Sequence, residues 1–203
     1  PLRVLKRVIC SLEWRAPILA RKLLGVRPQI NAKAMGLFAS SYLSLWEKTG
    51  NDAFFEKAMQ CLEWLKSNHN CDYPGMSWGY PFDWQSIIFI PKGTPSGVVT
   101  SHVGDAFWRH YKLTGSKESL EICEEICRFF LEGLNRDEFD QEAICFSYTP
   151  LDRFHVHNAN LFVAEFLIRV GSEVGNDEWV STGLKAANYA IKEQNPDGSI
   201  YYF

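Results

Sequence analysis

The chain repeats one pattern three times: a long apolar stretch, a short break that contains a glycine, and a second stretch with a single apolar stripe. The glycines are Gly50, Gly115 and Gly175, and they lie about 60 to 65 residues apart. Turn-forming residues surround each glycine, as expected where one helix ends and another begins. We therefore predict three helical hairpins. They span about residues 31–67, 99–134 and 158–193.

The two helices of each predicted hairpin differ in their hydrophobic pattern. The first is apolar on almost every side, as in residues 35–46 and 161–168, and must be covered on most faces. The second carries one stripe, as in Leu120, Cys123 and Cys127, opposite a row of glutamates. Such an alternation fits an inner ring of helices wrapped by an outer ring. We predict an all-α fold, an (α/α) toroid or partial toroid, and favour it over an antiparallel bundle or an open solenoid.

Residues with polar side chains are well placed to cap these helices. The predicted caps of the first helices are Asn31, Thr100 or Ser101, and Asn158, and those of the second helices are Asn51 or Asp52, Ser116, and Asn176 or Asp177.

Length and composition predict a single domain over residues 1–203. With 46% hydrophobic residues the chain can bury a substantial core. Residues 1–30 form a basic N-terminal helical segment, which we interpret as a solvated helix face in preference to a membrane or partner contact. The chain opens on Pro1 and stops within an aromatic stretch, so we expect a fragment of a larger ring.

Charge and motifs exclude several classes of function. The net charge of −3, with acids and bases interspersed, offers no basic stripe for nucleic acid. The six cysteines lie mostly inside apolar patterns, which favours reduced, buried thiols and a cytoplasmic location. No metal-binding cysteine or histidine motif, phosphate-binding loop or dinucleotide fingerprint is present, so we predict no metal and no cofactor.

The connections between the hairpins are long and carry most of the unusual chemistry. They span residues 68–98 and 135–157, with a third beginning at Asn195. Each leads into the N-terminus of a first helix, so in a ring they gather on one face. Helix N-termini present unpaired amide hydrogens and favour carboxylates, sulfates or phosphates.

In the first of these linkers, three of the aromatic residues stand around one carboxylate. Trp78, Tyr80 and Trp84 surround Asp83, and glycine and proline turns hold the segment. Flat rings cover the apolar faces of sugar rings while an acid fixes hydroxyl groups, so we interpret the segment as a sugar-binding wall. A loop that folds its aromatic residues inward is the alternative. Lys92, in the turn that follows, is a further predicted substrate-binding residue.

A histidine and an aspartate stand three residues apart at the start of the second inner helix. His102 and Asp105 therefore share one helix face. A histidine beside a carboxylate is a candidate general base, because its ordinary pKa lies near neutrality. A structural hydrogen bond between the two is the alternative.

The second linker combines a phenol, a carboxylate, a guanidinium, imidazoles and amides within a few residues. For uronic acid chemistry, amide, imidazole or arginine groups would neutralise the sugar carboxylate while Tyr148 or a histidine moves the proton on C5. Glycoside hydrolysis would instead pair two carboxylates from Asp83, Asp105 and Asp152. A linker packed against the ring is the alternative. The groups concerned are Tyr148, Asp152, Arg153, His155, His157, Asn158 and Asn160.

The helix pairs, residues 78–86, the turn at 91–96 and the turn at 194–199 together resemble the six-hairpin (α/α) toroid superfamily. More narrowly, they resemble an uncharacterised branch associated with surface-polysaccharide biosynthesis in bacteria and archaea. The resemblance implies carbohydrate chemistry, since the superfamily includes glycoside hydrolases, polysaccharide lyases and sugar epimerases. A six-hairpin ring needs about twice the hairpins present here, so we expect an incomplete or truncated ring.

We predict a carbohydrate-active protein that acts on a polysaccharide or its precursor, by lyase, epimerase or glycoside hydrolase chemistry in a groove on the linker face. The alternative is a non-catalytic glycan-binding or scaffold module. The expected partner is a neutral or anionic oligosaccharide or polysaccharide. Terpene or isoprenoid processing ranks last, because its acid-rich motifs are missing. The predicted catalytic residues are Asp83, His102, Asp105, Tyr148, Asp152, His155 and His157, and the predicted binding residues are Trp78, Tyr80, Trp84, Lys92, Arg153, Asn158 and Asn160.

Overall fold

A computed structural model describes residues 2–202, which form eight α-helices, a π-helical turn at Phe129–Gly133 and four short strands. The chain divides into two compact units, with the boundary between Ile30 and Asn31. The helices are α1 (Leu2–Arg15), α2 (Pro17–Leu23), α3 (Ala32–Thr49), α4 (Asp52–Ser67), α5 (Gly97–Thr114), α6 (Lys117–Arg128), α7 (His157–Val174) and α8 (Asp177–Lys192). The strands are β1 (Trp84–Gln85), β2 (Phe89–Ile90), β3 (Arg136–Asp140) and β4 (Ala143–Phe146).

The first unit consists of α1 and α2, which contact each other. Pro17 begins α2, a position where proline costs little because the first amide hydrogens of a helix have no partner within the helix. Ala20 is buried, whereas Val4, Trp14 and Ile18 are exposed.

The second unit contains the three predicted hairpins in two layers. Helices α3, α5 and α7 lie side by side in an inner layer, and α4, α6 and α8 each pack against the preceding inner helix. The core lies between the layers and includes Leu65 of α4, Phe107 of α5, Ile126 of α6 and Phe166 of α7. The predicted toroidal architecture is confirmed as a partial ring.

Glycines end the inner helices where the sequence predicts breaks. Gly50, Gly115 and Gly175 have φ angles of 65°, 72° and 73°, in the left-handed region that glycine adopts without steric cost. The outer helices then begin at side-chain caps. The caps of α4, α6 and α8 are Asn51, Ser116 and Asn176, as predicted, and Asn31 caps α3.

Helix α5 begins earlier than predicted. Its cap is Ser96, whose hydroxyl accepts from the Val99 amide at 3.2 Å. Thr100 and Ser101, the predicted caps, lie inside the helix and are buried. The earlier start is sterically possible because the first helical residue is Gly97, at a place where an added Cβ would approach Val163 to 3.1 Å.

The long linkers contain short antiparallel hairpins that the sequence did not indicate. Strands β1 and β2 pair within the first linker, and β3 and β4 pair within the second. Strand β4 is buried along its length and packs against α7 and α8. The second linker is therefore fixed to the third hairpin.

All six cysteines are free thiols. Cys10 and Cys71 are exposed, and the other four are buried. Burial raises the pKa of Cys145 to about 12. Within residues 2–202, no helix combines the length and apolar character needed to cross a bilayer. The cytoplasmic location stays a prediction.

Candidate functional site

The two long linkers meet in a cluster of four aromatic side chains, Tyr80, Phe82, Trp84 and Tyr148, which we call the aromatic rim. The rings of Tyr80 and Phe82 are stacked with centroids 5.3 Å apart. Trp84 meets Tyr80 edge-on at 6.2 Å and Tyr148 edge-on at 5.9 Å. Since Trp84 belongs to the first linker and Tyr148 to the second, the fold joins segments that are distant in sequence.

The rim adjoins the beginning of the central inner helix and a small pocket. The Gly97 amide, at the start of α5, donates to the Tyr148 carbonyl at 3.1 Å. The pocket has a volume of about 110 Å³ and is mostly apolar. Burial, followed by the nearby Tyr80 hydroxyl, raises the pKa of Tyr148. Tyr148 therefore keeps its proton at neutral pH and can donate a hydrogen bond.

Asp83 and Lys92 lie beside the rim and close the turn that contains β1 and β2. Asp83 is exposed, and its Oδ1 accepts from the backbone amide of Lys92 at 2.7 Å. Both side chains lie on the outside of the first linker. The hydrogen bond from Lys92 gives Asp83 a role in holding the turn, whether or not its side chain also contacts a ligand.

Trp78, expected on the sugar-binding wall, is a core residue. It is 1% exposed, and its indole N–H donates to the Leu65 carbonyl at 3.0 Å. The ring stacks on Phe107 of α5 at 6.3 Å. Trp78 anchors the first linker to the helices, because its ring faces the core and the indole hydrogen is already bonded.

Asp152 shapes the second linker. It is 5% exposed, and Oδ2 accepts from the Thr149 amide at 2.8 Å and the Thr149 hydroxyl at 2.5 Å. Its Oδ1 accepts from the amides of Tyr148 and Phe154 at 3.1 and 3.0 Å. A buried carboxylate with four donors is a fixed structural group, so the geometry does not favour the predicted catalytic role.

A second depression, which we call the inner groove, lies on the faces of α3, α5 and α7 that point away from the outer helices. Its volume is about 560 Å³. The lining residues are Leu37, Ser40, Glu47, His102, Asp105, Trp108, Arg109, Lys112, Leu113 and Arg169.

His102 is the titratable base of the inner groove. The side chain is half-buried, and its ring lies 5.0 Å from that of Phe162. Desolvation lowers the pKa of His102, the positive charge of Lys33 lowers it further, and Asp105 opposes both. The imidazole is therefore neutral at pH 7 and can accept a proton.

An arginine-centred cluster lies next to His102. Arg169 forms an ion pair with Asp105 on the neighbouring helix, and its Nε lies 3.1 Å from Glu165. The guanidinium group is 5.3 Å from the ring centroid of Trp108 and 5.2 Å from that of Phe166. Contacts with two carboxylates and two rings hold this cation in place.

A second arginine pair lies further along the groove. Arg109 donates to Glu47 at 2.7 Å and so joins α5 to α3. Lys112 contacts Glu173 of α7 at 3.2 Å. The sequence reasoning missed these residues, as well as Trp108 and Arg169. Charged residues four positions apart on helices that are otherwise apolar were the available signal.

A third group, which we call the hairpin cluster, lies within the second linker, where β3 meets residues 153–155. His155 donates from Nε2 to Asp137 at 2.8 Å, and Arg153 donates to the other Asp137 oxygen at 2.5 Å. The hydrogen bond from His155 lowers the pKa of Asp137, and Arg153 lowers it further. The His155 ring also meets Phe139 edge-on at 5.1 Å.

The start of α7 differs from its prediction. Asn158 is exposed within the first turn, and the N-cap position is Val156, which has no side-chain acceptor. His157 begins the helix, is 7% exposed and stacks on Tyr189 at 5.4 Å. The predicted cap at Asn158 is wrong because the N-cap position is Val156, two residues earlier.

Asn160 is fully buried and joins three elements. Its side chain accepts from the Phe146 amide of β4 at 3.0 Å and donates to the Ala186 carbonyl of α8 at 2.7 Å. These bonds occupy the amide, so Asn160 fixes the second linker to α7 and α8 and presents no group to a ligand.

The structure therefore sorts the predicted site residues into four places. His102 and Asp105 lie in the inner groove. The aromatic rim holds Tyr80, Trp84 and Tyr148, with Asp83 and Lys92 beside it. The hairpin cluster holds Arg153 and His155, with His157 and Asn158 at the adjoining start of α7, and the interior holds Trp78, Asp152 and Asn160. Across residues 2–202, no three His, Cys, Asp or Glu side chains cluster as a metal site would require.

The chain has the architecture of part of an (α/α) toroid. Its three helical hairpins pack with their inner helices side by side, and long linkers rich in polar and aromatic residues connect them. A scan against protein-family models gives no match, and a search of curated proteins gives none either.

Solved structures share the fold. A sugar epimerase from a ruminal bacterium matches with a TM-score of 0.61 and 15% identity, over 82% of this chain and 45% of that one. Cellobiose 2-epimerase from Bacillus thermoamylovorans matches with a TM-score of 0.65 and 12% identity, over 85% of this chain and 47% of that one. An inactive α-1,6-mannanase variant from Salegentibacter sp., in complex with α-1,6-mannotetrose, matches with a TM-score of 0.58 and 13% identity, over 88% of this chain and 53% of that one. The chain spans about half the length of these (α/α)₆ toroid enzymes.

Proposed function

We propose that this chain contributes the proton-transfer groove of a carbohydrate-active enzyme of the epimerase or lyase type, which acts on a polysaccharide or its precursor. The observation that carries the proposal is His102, a half-buried imidazole that stays neutral beside the Asp105–Arg169 pair in an open groove of about 560 Å³. Epimerases that invert the carbon next to a carbonyl, and lyases that cleave beside a sugar carboxylate, both remove a proton from carbon, and a neutral imidazole is suited to accept it.

The groove also offers groups that favour the product of that step. When a base removes the proton next to a sugar carbonyl or carboxylate, negative charge moves to oxygen. Hydrogen-bond donors held in place stabilise such charge, because they need no rearrangement during the reaction. Arg169 and Arg109 are donors of this kind, since ion pairs to neighbouring helices fix both.

Proton transfer fits the groove better than glycoside hydrolysis does. Hydrolysis needs two carboxyl groups on either side of the glycosidic bond. Glu47 and Asp105, the carboxylates that line the groove, are both engaged by arginines.

The three cations that line the groove are engaged by carboxylates. Arg109, Lys112 and Arg169 each form an ion pair, which weakens their attraction for an acidic substrate and favours a neutral sugar. Lys33, whose charge lowers the pKa of His102, does not line the groove. A neutral sugar in turn favours epimerisation over lyase chemistry, because a lyase needs the sugar carboxylate to acidify the proton that it removes. The aromatic rim would hold another sugar unit through its ring faces. Cellobiose and α-1,6-mannotetrose are therefore the first compounds to test, as neutral oligosaccharides named for the structural neighbours.

The test is solvent hydrogen exchange in D₂O. We expect deuterium to enter one carbon position of a neutral oligosaccharide, detected by NMR or mass spectrometry. His102→Gln should slow the exchange by about 100-fold or more. The matched control is His110→Gln, since His110 is buried in the core side of α5 and bonds Ser119. An increase in reducing ends without deuterium would instead indicate hydrolysis.

A second function, glycan binding without turnover, is supported by the rim. Its four rings lie on linkers that β1–β2 and β3–β4 hold in place, which suits recognition alone. Saturable binding of an oligosaccharide with neither exchange nor cleavage would favour this function.

A further inference from the structure

A thiol and an imidazole lie side by side where α4 passes into the first linker, outside the groove, the rim and the hairpin cluster. Cys71 is exposed, and its Sγ is 3.5 Å from Nε2 of His69. The His69 carbonyl oxygen, at 3.8 Å, is the other acceptor near the thiol hydrogen.

The second ring nitrogen fixes the tautomer of His69. Its Nδ1 lies 2.7 Å from the carbonyl oxygen of Lys66. A carbonyl oxygen can only accept, so Nδ1 must carry the hydrogen. In the neutral ring, Nε2 then presents a lone pair to Cys71. A nucleophile next to a base, with the base oriented by a third group, is the arrangement that activates cysteine in many proteins.

Backbone bonds hold the segment that carries the pair. The amide of Asn70 donates to the Ser77 carbonyl at 2.8 Å, and its side chain donates to the Gly93 carbonyl at 3.2 Å. The Asp72 amide in turn donates to the Asn70 side chain at 2.8 Å. Cys71 is thus bracketed by fixed residues, so the thiol stays near the imidazole.

We infer that Cys71 is a reactive thiol, activated by His69, and a modification site for small disulfides such as oxidised low-molecular-weight thiols. In the reaction, Nε2 takes the proton from Sγ, and the sulfur attacks one sulfur of the disulfide. A new sulfur–sulfur bond forms to Cys71, the old one breaks, and the leaving thiolate takes up the proton. No further oxidant is required. The inference does not depend on the proposed function.

The other five cysteines provide internal standards. Four are buried and should stay unreactive while the protein is folded. Cys10 is exposed on α1, and residues 1–30 contain no histidine. Cys10 therefore reports the reactivity of an exposed thiol in the same chain.

The experiment follows mixed-disulfide formation with glutathione disulfide at pH 7, using mass spectrometry of peptides to score each cysteine separately. We expect Cys71 to react about tenfold faster than Cys10. His69→Gln should slow Cys71 about tenfold and leave Cys10 unchanged, because glutamine cannot accept the proton. Cys71→Ser should remove the fast product.

Protection of the four buried thiols shows in every variant that the protein is folded. A Cys71 rate equal to that of Cys10 would overturn the proposal. An unchanged Cys71 rate in folded His69→Gln would overturn it as well.

Discussion

The inner groove and the aromatic rim are built in different ways. The groove lies on three helices, and its charged side chains form ion pairs between neighbouring helices, as Arg109 does with Glu47 and Arg169 with Asp105. The rim lies on linkers, and ring-edge contacts such as Trp84 to Tyr148 hold it together. Groups that must stay in place during a reaction need rigid supports. The comparison therefore supports the proposal that the groove transfers protons and the rim recognises sugar.

The largest effect should come from removing the cation at the centre of the groove. Arg169→Met would leave Asp105 and Glu165 without their partner and lower the free energy of unfolding by about 1–3 kcal/mol. It should also reduce hydrogen exchange into sugar by about 100-fold. Denaturant unfolding and the D₂O assay measure the two effects.

Arg128→Met is the matched control for Arg169. Arg128 is the last residue of the outer helix α6, and it forms exposed ion pairs with Glu125 and Glu132. Such a pair contributes about 0–1 kcal/mol, so stability and exchange should stay near those of the parent protein. Equal losses from both arginine variants would argue against a special role for the groove.

Trp84→Ala should affect recognition. The Trp84 ring joins the first linker to Tyr148 of the second, and its removal should weaken oligosaccharide binding by about tenfold, or roughly 1.4 kcal/mol. The exchange rate at saturating sugar should stay close to that of the parent protein. Titration calorimetry checks the affinity. Trp14→Ala, at an exposed position of α1, is the control. A selective loss of maximal rate in Trp84→Ala would assign chemistry to the rim.

Asp152→Asn separates a structural role from a catalytic one. The amide has one acceptor oxygen in place of two, so donors around Thr149 lose a partner, and we expect unfolding to become easier by about 1–2 kcal/mol. The exchange rate per folded molecule should not change. A large loss of rate in the folded variant would restore Asp152 to the catalytic residues.

The smallest expected effect is a pH dependence of stability. Burial lowers the pKa of both His102 and His110 below the ordinary value of 6.5. Below pH 6.5 the unfolded chain therefore binds more protons than the folded one, and the free energy of unfolding falls as the pH falls toward the folded-state pKa values.

Denaturant curves between pH 5 and 7.5 measure this dependence. His102→Gln and His110→Gln should each flatten it. If the free energy of unfolding instead rose on acidification, and this rise disappeared when either histidine was replaced, the assigned direction of the pKa shifts would be contradicted.

The sequence predicted the helical framework well because its signals are local. A glycine that must adopt positive φ, such as Gly115, ends a helix wherever the chain lies in the fold. Asn51 and Ser116 cap helices for the same kind of reason, since the capping bond reaches only a few residues along the chain.

The linkers were harder to predict because tertiary packing decides which way their side chains point. Trp78 and Trp84 are six residues apart in one aromatic segment, yet Trp78 enters the core and Trp84 joins the rim. Arg169 was missed for a related reason. It is the one arginine or lysine of α7, and its partner Asp105 becomes its neighbour only when α5 and α7 pack together.

One NMR titration tests the central claim, that groove and rim form the sugar-binding surface. The chain has seven tryptophans, so seven indole N–H signals report on different parts of the molecule. With saturating cellobiose or α-1,6-mannotetrose, we predict that the signals of Trp84 in the rim and Trp108 in the groove move. The core residue Trp78 and Trp14 of α1 should not respond. A spectrum in which Trp84 and Trp108 stay fixed while other indoles move would contradict the account.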